Sequence, residues 1–318
     1  MLNVNNLKVY FFTKKGIGKA VNGISFHLKK EKILAIVGES GCGKSVTALS
    51  ILNLIEPPGK IVDGEILFKG ENILKLDKEK LRNIRGNEIS IIFQDPMMSL
   101  NPVIKVGDQI TETILTHKKI TKKEAKELSI ELFKKVKLKN AEKIFNSYPH
   151  ELSGGMRQRV MIAISLSCNP DILIADEPTT ALDVTTQKSI LELLKELKEK
   201  NSLTVLFITH DFRLVEKLAD EVIVMYGGKI VEYREKNEIL NNPLHPYTIG
   251  LINSIPPVDK KIEKLPVIEG EVPDIFNLPE GCPFSPRCKF KKENCEKKFP
   301  PKTYLNGNYY FACWEIKI

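Results

Sequence analysis

Eight residues, Gly38-Glu39-Ser40-Gly41-Cys42-Gly43-Lys44-Ser45, constrain this chain more than any other segment. They follow an apolar run, Ile33 to Val37, that reads as a buried strand, and they precede a helical-looking run from Val46 to Leu54. A strand, a glycine-rich loop and a helix in that order let backbone N–H groups turn inward around phosphate oxygens. The following helix adds the positive end of its dipole. Lys44 supplies a full charge for β- and γ-phosphates, and Ser45 offers a hydroxyl to magnesium. Gly38, Ser40, Gly41, Cys42, Gly43 and Val46 complete the expected phosphate cradle. Cys42 has no evident partner base and reads as a small loop residue rather than a nucleophile.

A chain of 318 residues has room for one large α/β domain and an appendage. Over the first 240 residues short apolar runs alternate with helical stretches, which predicts a partly parallel sheet flanked by helices. The candidate strands are Ile33 to Val37, Ile89 to Phe93, Ile172 to Ala175, Val205 to Thr209 and Val222 to Met225, with a hairpin turn at Gly227-Gly228. From about 100 to 170 the pattern is helical: Thr121 and Glu124 form a capping-box pair, followed by Ala125, Leu128, Leu132 and Val136 at helical spacing. After Asn241 prolines crowd, Pro256 and Pro257 among them, so long regular helices are not expected there. The expected organisation is therefore a domain over 1–240, with a helical subdomain at about 100–170, and an extension over 241–318.

No apolar run approaches the roughly 18 to 20 residues of a membrane-spanning helix, and the start Met1-Leu2-Asn3-Val4-Asn5 lacks a basic leader, so the chain is expected in the cytoplasm. The net charge of +8 comes largely from Lys scattered over predicted helix faces and reads as a solvated surface, with no nucleic-acid partner expected.

The run Ile172 to Ala175 ends in Asp176-Glu177, at the strand end where nucleotide sites form in α/β sheets. Asp176 is the candidate magnesium ligand, and Glu177 the candidate base that polarises the attacking water. His210 closes Phe207-Ile208-Thr209-His210, also at a strand end; a neutral imidazole there can hydrogen-bond a γ-phosphate or the water. Ser153, in Leu152-Ser153-Gly154-Gly155-Met156-Arg157-Gln158, is placed to cap a helix whose free N–H groups face an anion.

That last segment resembles the signature motif of ATP-binding cassette (ABC) ATPases, and the remaining family motifs stand in order. Gln94 in Phe93-Gln94-Asp95-Pro96 resembles the Q-loop, Ala181-Leu182-Asp183 the D-loop and His210 the switch histidine. Phe11, 33 residues before Lys44, resembles the aromatic that stacks on adenine, with Phe12 a competing candidate. The resemblance spans roughly residues 2 to 240. It implies a P-loop NTPase cassette with a mixed sheet and a helical subdomain, binding ATP and Mg2+. It assigns Lys44, Gln94, Glu177 and His210 to hydrolysis, Ser45, Gln94 and Asp176 to magnesium, and Ser153, Gly154 and Gly155 to the ATP of a second, identical or paralogous, cassette.

Three segments are similar to the dipeptide and oligopeptide importer subfamily: Phe93 to Pro102, Glu177 to Thr185 and Asn242 to Thr248. That likeness implies two membrane permease subunits and an extracytoplasmic substrate-binding protein as partners, at the cytoplasmic face of the membrane. Related cassettes serve nickel or oligosaccharides. A soluble cassette acting on DNA or ribosomes is the competing class, and its usual marks, a long coiled-coil insertion or two cassettes in one chain, are not seen in this sequence.

Cys282, Cys288, Cys295 and Cys313 fall within 32 residues. Intervals of five, six and seventeen residues lack the close Cys-x-x-Cys pairs of most zinc sites, and stable disulfides are disfavoured in a cytoplasmic protein. An iron–sulfur cluster suits four such thiolates better. The run Gly281 to Cys288 also resembles a C-terminal motif that binds a [4Fe-4S] cluster in some peptide importers. The expectation is a structural cluster, with a redox sensor as the competing role.

Overall fold

The computed structural model describes residues 1–180, 182–255, 266–307 and 309–316. Ala181 of the expected D-loop and the Pro256-Pro257 pair lie outside the described residues. The chain forms two compact units, one of Met1–Lys75 with Ile208–Ile318 and the other of Leu76–Phe207.

The first unit carries two sheets. One is antiparallel, in the order Gly16–Leu28, Leu2–Thr13, Gly59–Phe68, Glu71–Asn72. Leu2, Val4, Leu7 and Val9 are fully buried along its central strand. The odd step from Val4 to Leu7 is a register shift, with Asn6 in the left-handed region at φ 48°. Such a bulge breaks the period-two alternation that would otherwise announce a strand.

In the second sheet Ile33–Val37 runs parallel to Glu221–Tyr226, which pairs antiparallel with Lys229–Glu235. Tyr310–Phe311 and then Thr303–Tyr304 extend the same sheet. The expected hairpin is present: Tyr226 pairs with Lys229, and the two intervening glycines hold φ 51° and 74°, both left-handed as a two-residue type I′ turn requires. Val37, Val222 and Val224 form a core with Phe212 and Val215, and Tyr247, Cys282, Phe284 and Cys295 of the extension belong to that same core.

In the second unit Ile89–Ile92 runs parallel to Ile172–Asp176. Both strands are short and almost wholly buried, which is why they read as continuous apolar runs. The helical stretch resolves into Val106–His117, Lys122–Lys135, Ala141–Phe145 and Gly154–Leu166. The capping box is formed: Glu124 N–H donates to Thr121 Oγ1 at 3.2 Å and Thr121 N–H to Glu124 Oε2 at 2.7 Å. Ala125, Leu132 and Val136 are buried as expected, while Leu128 is half-buried and Phe133 joins the apolar face. The helix Val184–Asn201 buries Ile190, Leu193, Leu194 and Leu197. The protein is thus α/β with a mixed sheet and a helical subdomain. Among the described residues no helix is long and apolar enough to cross a membrane.

Candidate nucleotide site

The glycine-rich loop joins strand Ile33–Val37 to helix Lys44–Ile51, as expected. Gly43 sits at φ 101°, and a Cβ there would lie 2.3 Å from the Ala20 carbonyl oxygen. Only glycine satisfies both the conformation and the contact. A Cβ on Gly38 would come equally close to the Met225 carbonyl. Lys44 is buried, and its Nζ donates to the carbonyls of Gly38 at 2.8 Å and Glu39 at 3.0 Å, tying the helix start back to the loop entrance. Ser45 and Val46 are half-buried at the helix start, while Ser40 and Gly41 are exposed. Burial pushes the Cys42 thiol above its ordinary range, which suits a packing role and not a nucleophile.

Phe11 lies opposite Gly18 on one neighbouring strand and Gly59 on the other. A Cβ on Gly59 would lie 2.8 Å from Phe11 Cε1, so the absent side chain leaves space against the ring. Phe12 points to the other face and is 47% exposed. His210 is exposed at the end of strand Thr204–Thr209.

In the second unit Asp176 is buried at the end of its strand, and Glu177 follows with a left-handed φ of 45°. Non-glycine residues in that region are uncommon and cluster at functional sites. Gln94 Nε2 donates to Glu177 Oε2 at 3.1 Å, and Thr180 Oγ1 donates to the same oxygen at 3.0 Å. Ser153 caps helix Gly154–Leu166 by accepting the Met156 N–H at 3.3 Å, and no acidic residue stands in the first turn. Both features suit an anion at this helix start. Gly155 is required by packing, since a Cβ would lie 2.7 Å from Thr186 Cγ2. Asp183 caps helix Val184–Asn201 through the Thr186 N–H at 2.9 Å. The second unit thus brings Gln94 and Glu177 into contact, while the first holds the phosphate loop, Phe11 and His210.

Thr180, Tyr247 and Arg287 are contacts that sequence reasoning missed. Tyr247 OH accepts the Glu39 N–H at 2.8 Å, and Arg287 pairs with the Glu39 carboxylate at 2.6 Å. The signal available was Glu39 itself, an acid inside a phosphate-binding loop, which calls for a compensating cation.

Cys282, Cys288, Cys295 and Cys313 line one cavity together with His245, Phe284 and Trp314. All four are free thiols. Burial, with some help from the neighbouring thiols, pushes Cys282 up to about 12, and burial likewise raises Cys288 and Cys313. Among the described residues no group of three or more His, Cys, Asp or Glu side chains is arranged to hold a metal ion.

The comparisons with known proteins agree with this geometry. The ABC transporter family pattern matches residues 21–180, and the pattern for the oligopeptide/dipeptide transporter C-terminal region matches residues 231–295. The chain is 53% identical to the oligopeptide transport ATP-binding protein AppD of Bacillus subtilis, over 93% of this chain and 90% of that protein. It is 48% identical to the dipeptide transport ATP-binding protein DppD of the same organism, over 99% and 94%. Among solved structures, a dimeric post-hydrolysis form of the ATP-binding cassette MJ0796 bound to ADP and Pi is similar, with a TM-score of 0.67 and 28% identity over 74% of this chain and 99% of that one. The chain belongs to the ABC transporter family, as an ATP-binding cassette whose C-terminal region is of the oligopeptide/dipeptide type.

Proposed function

We propose that this cassette hydrolyses ATP to energise a membrane importer of di- or oligopeptides. The observation that carries the reading is the joining, in one chain, of a complete phosphate loop to an oligopeptide/dipeptide-type C-terminal region. The named relatives transport oligopeptides and dipeptides. In this reading Lys44 and the loop amides hold the phosphates, Ser45, Gln94 and Asp176 supply oxygens for magnesium, and Phe11 stacks on adenine. Glu177 takes the proton from the attacking water while His210 steadies the γ-phosphate. Water oxygen bonds to the γ-phosphorus as the bridging bond to the β-phosphate breaks, giving ADP and inorganic phosphate. Ser153, Gly154 and Gly155 serve the nucleotide of a second cassette, so the working unit is a dimer, identical or paralogous.

The segment after Gln94 suits the permease contact. Phe93, Met97, Met98 and Val103 are exposed, Met98 at 86%, an unusual density of large apolar side chains for free surface. Docking one of two permease subunits there, with the second on the partner cassette, would link ATP chemistry to the membrane and place the cassette on its cytoplasmic face, with the cargo delivered by an extracytoplasmic binding protein.

The thiol cavity is proposed to hold a [4Fe-4S] cluster through Cys282, Cys288, Cys295 and Cys313. Four free thiols, two buried and two half-buried, surround one space, and a bound metal cluster would take each as a thiolate in place of its proton. Anaerobic purification should then yield iron and acid-labile sulfide, and a protein free of both would end this assignment.

For the transport reading, cells lacking the gene should lose uptake of labelled tri- and tetrapeptides and regain it with the intact gene. Unchanged peptide uptake with lost nickel or oligosaccharide uptake would reassign the cargo.

A further inference from the structure

The phosphate loop from Gly38 to Ser45 contains one acid, Glu39, and one base, Lys44, and so carries no net charge of its own. A loop that binds a polyphosphate gains nothing from a carboxylate at its entrance unless that carboxylate is neutralised. In the structure the neutralising cation comes from the far end of the chain. Arg287 Nη1 donates to Glu39 Oε2 at 2.6 Å and Nη2 to Glu39 Oε1 at 3.2 Å, a two-pronged pair.

Arg287 is held rigidly for that task. Its side chain is only 5% exposed. Nε donates to the Glu269 carbonyl at 3.0 Å, Nη2 to the Ile268 carbonyl at 3.0 Å, and Nη1 to Tyr226 OH at 3.2 Å. Tyr226 packs edge-on against Tyr247 with ring centres 4.6 Å apart, and Tyr247 OH accepts the Glu39 N–H. Glu39 is therefore fixed by side chain and backbone at once, both times by residues of the C-terminal region.

We infer that Arg287 is a positioning residue for nucleotide binding: through Glu39 it cancels the acid in the phosphate loop and anchors the loop entrance, making the C-terminal extension part of the ATP site. This rests on the reading of the loop as that site.

The test is equilibrium binding of ATP, ADP and adenosine, with magnesium, to the purified full-length protein and to Arg287→Met, Glu39→Gln and the double variant. Arg287→Met exposes the phosphates to an uncompensated carboxylate and should weaken ATP about tenfold or more, ADP less, and adenosine not at all. Glu39→Gln leaves Arg287 uncompensated and should tighten ATP more than ADP. The double variant should recover most of the loss. A residue that merely holds the fold together would weaken all three ligands alike and would not be rescued by a second substitution.

ATP affinity unchanged in Arg287→Met, or a double variant as weak as Arg287→Met, would overturn the inference. Should Arg287→Met fail to fold, Glu39→Gln decides alone, and weaker ATP binding in that variant counts against the inference. A wild-type protein that binds no ATP would instead refute the reading of the site.

Discussion

Gln94 and Glu177 stand 83 residues apart in sequence and meet in one hydrogen bond, Nε2 to Oε2 at 3.1 Å. Thr180 adds a second donor to the same oxygen. Two donors on Oε2 and a left-handed backbone at Glu177 leave the carboxylate little rotational freedom. A base that must meet a water at one angle gains from that restriction, since misplacement by about 1 Å can cost roughly a hundredfold in rate. Gln94 also lies within the stretch that exposes Phe93, Met97 and Met98, so the proposed permease surface and the Gln94–Glu177 bond share a segment.

Glu177→Gln keeps the shape and removes the basicity. Turnover should fall by about 10² to 10³ while ATP binding persists, and light scattering should show an ATP-dependent dimer. Ordinary turnover in the purified variant would overturn the assignment of the base.

Gln94→Ala removes one of the two donors to Oε2 and leaves the phosphate loop untouched. The expectation is a kcat reduced by roughly ten- to a hundredfold, with the dissociation constant for ATP in the absence of magnesium, where the proposed Gln94 ligand oxygen plays no part, changed by less than about threefold. Parallel measurement of both separates orientation from binding, and an equal loss in the two would count against an orienting role.

What sequence reveals here follows the range of each interaction. Ser153 and its helix, the Thr121–Glu124 box and the Gly227-Gly228 hairpin each rest on neighbours within a few residues, so composition and spacing expose them. The phosphate loop is readable because Gly43 meets Ala20 in a way only glycine allows, and glycine is visible in sequence even when its neighbour is not. The long strand Leu2–Thr13 is harder, because its register shifts put Val4 and Leu7 on the buried side at odd spacing. Tyr310–Phe311 is too short to leave a period at all. The Arg287–Glu39 pair spans 248 residues, and no local pattern encodes it.

Lys44→Ala and Gly43→Ala should both abolish ATP affinity, for different reasons. The first removes a charge, together with the Nζ hydrogen bonds to the Gly38 and Glu39 carbonyls, and introduces no steric clash. The second forces a Cβ into the Ala20 carbonyl at a left-handed backbone, which should also cost about 1 kcal/mol or more of folding stability. Nucleotide titration and urea melts on the two variants distinguish the cases. A Gly43→Ala protein with wild-type stability and ATP affinity would show that the loop can relax around the added methyl.

Acid should weaken the first unit through Glu221, a buried residue at the start of strand Glu221–Tyr226. Burial alone pushes this carboxyl up. Hydrogen bonds from Lys29, from Tyr309 at 2.7 Å and from Tyr233 at 3.1 Å, with the charge of Lys29, outweigh burial and hold it below the ordinary carboxylate range. Near neutral pH the group is ionised folded and unfolded, and the network contributes fully. As pH falls below the ordinary value, about 4.3, the unfolded chain takes up the proton first, and the contribution is lost as pH falls through the lower folded value. Glu221→Gln should therefore be less stable than wild type by roughly 2 kcal/mol at pH 7, with the gap closing below about pH 4. Urea midpoints at pH 7, 5 and 3.5 measure it, and a gap that stays constant across the series would show that the network does not depend on the carboxylate's charge.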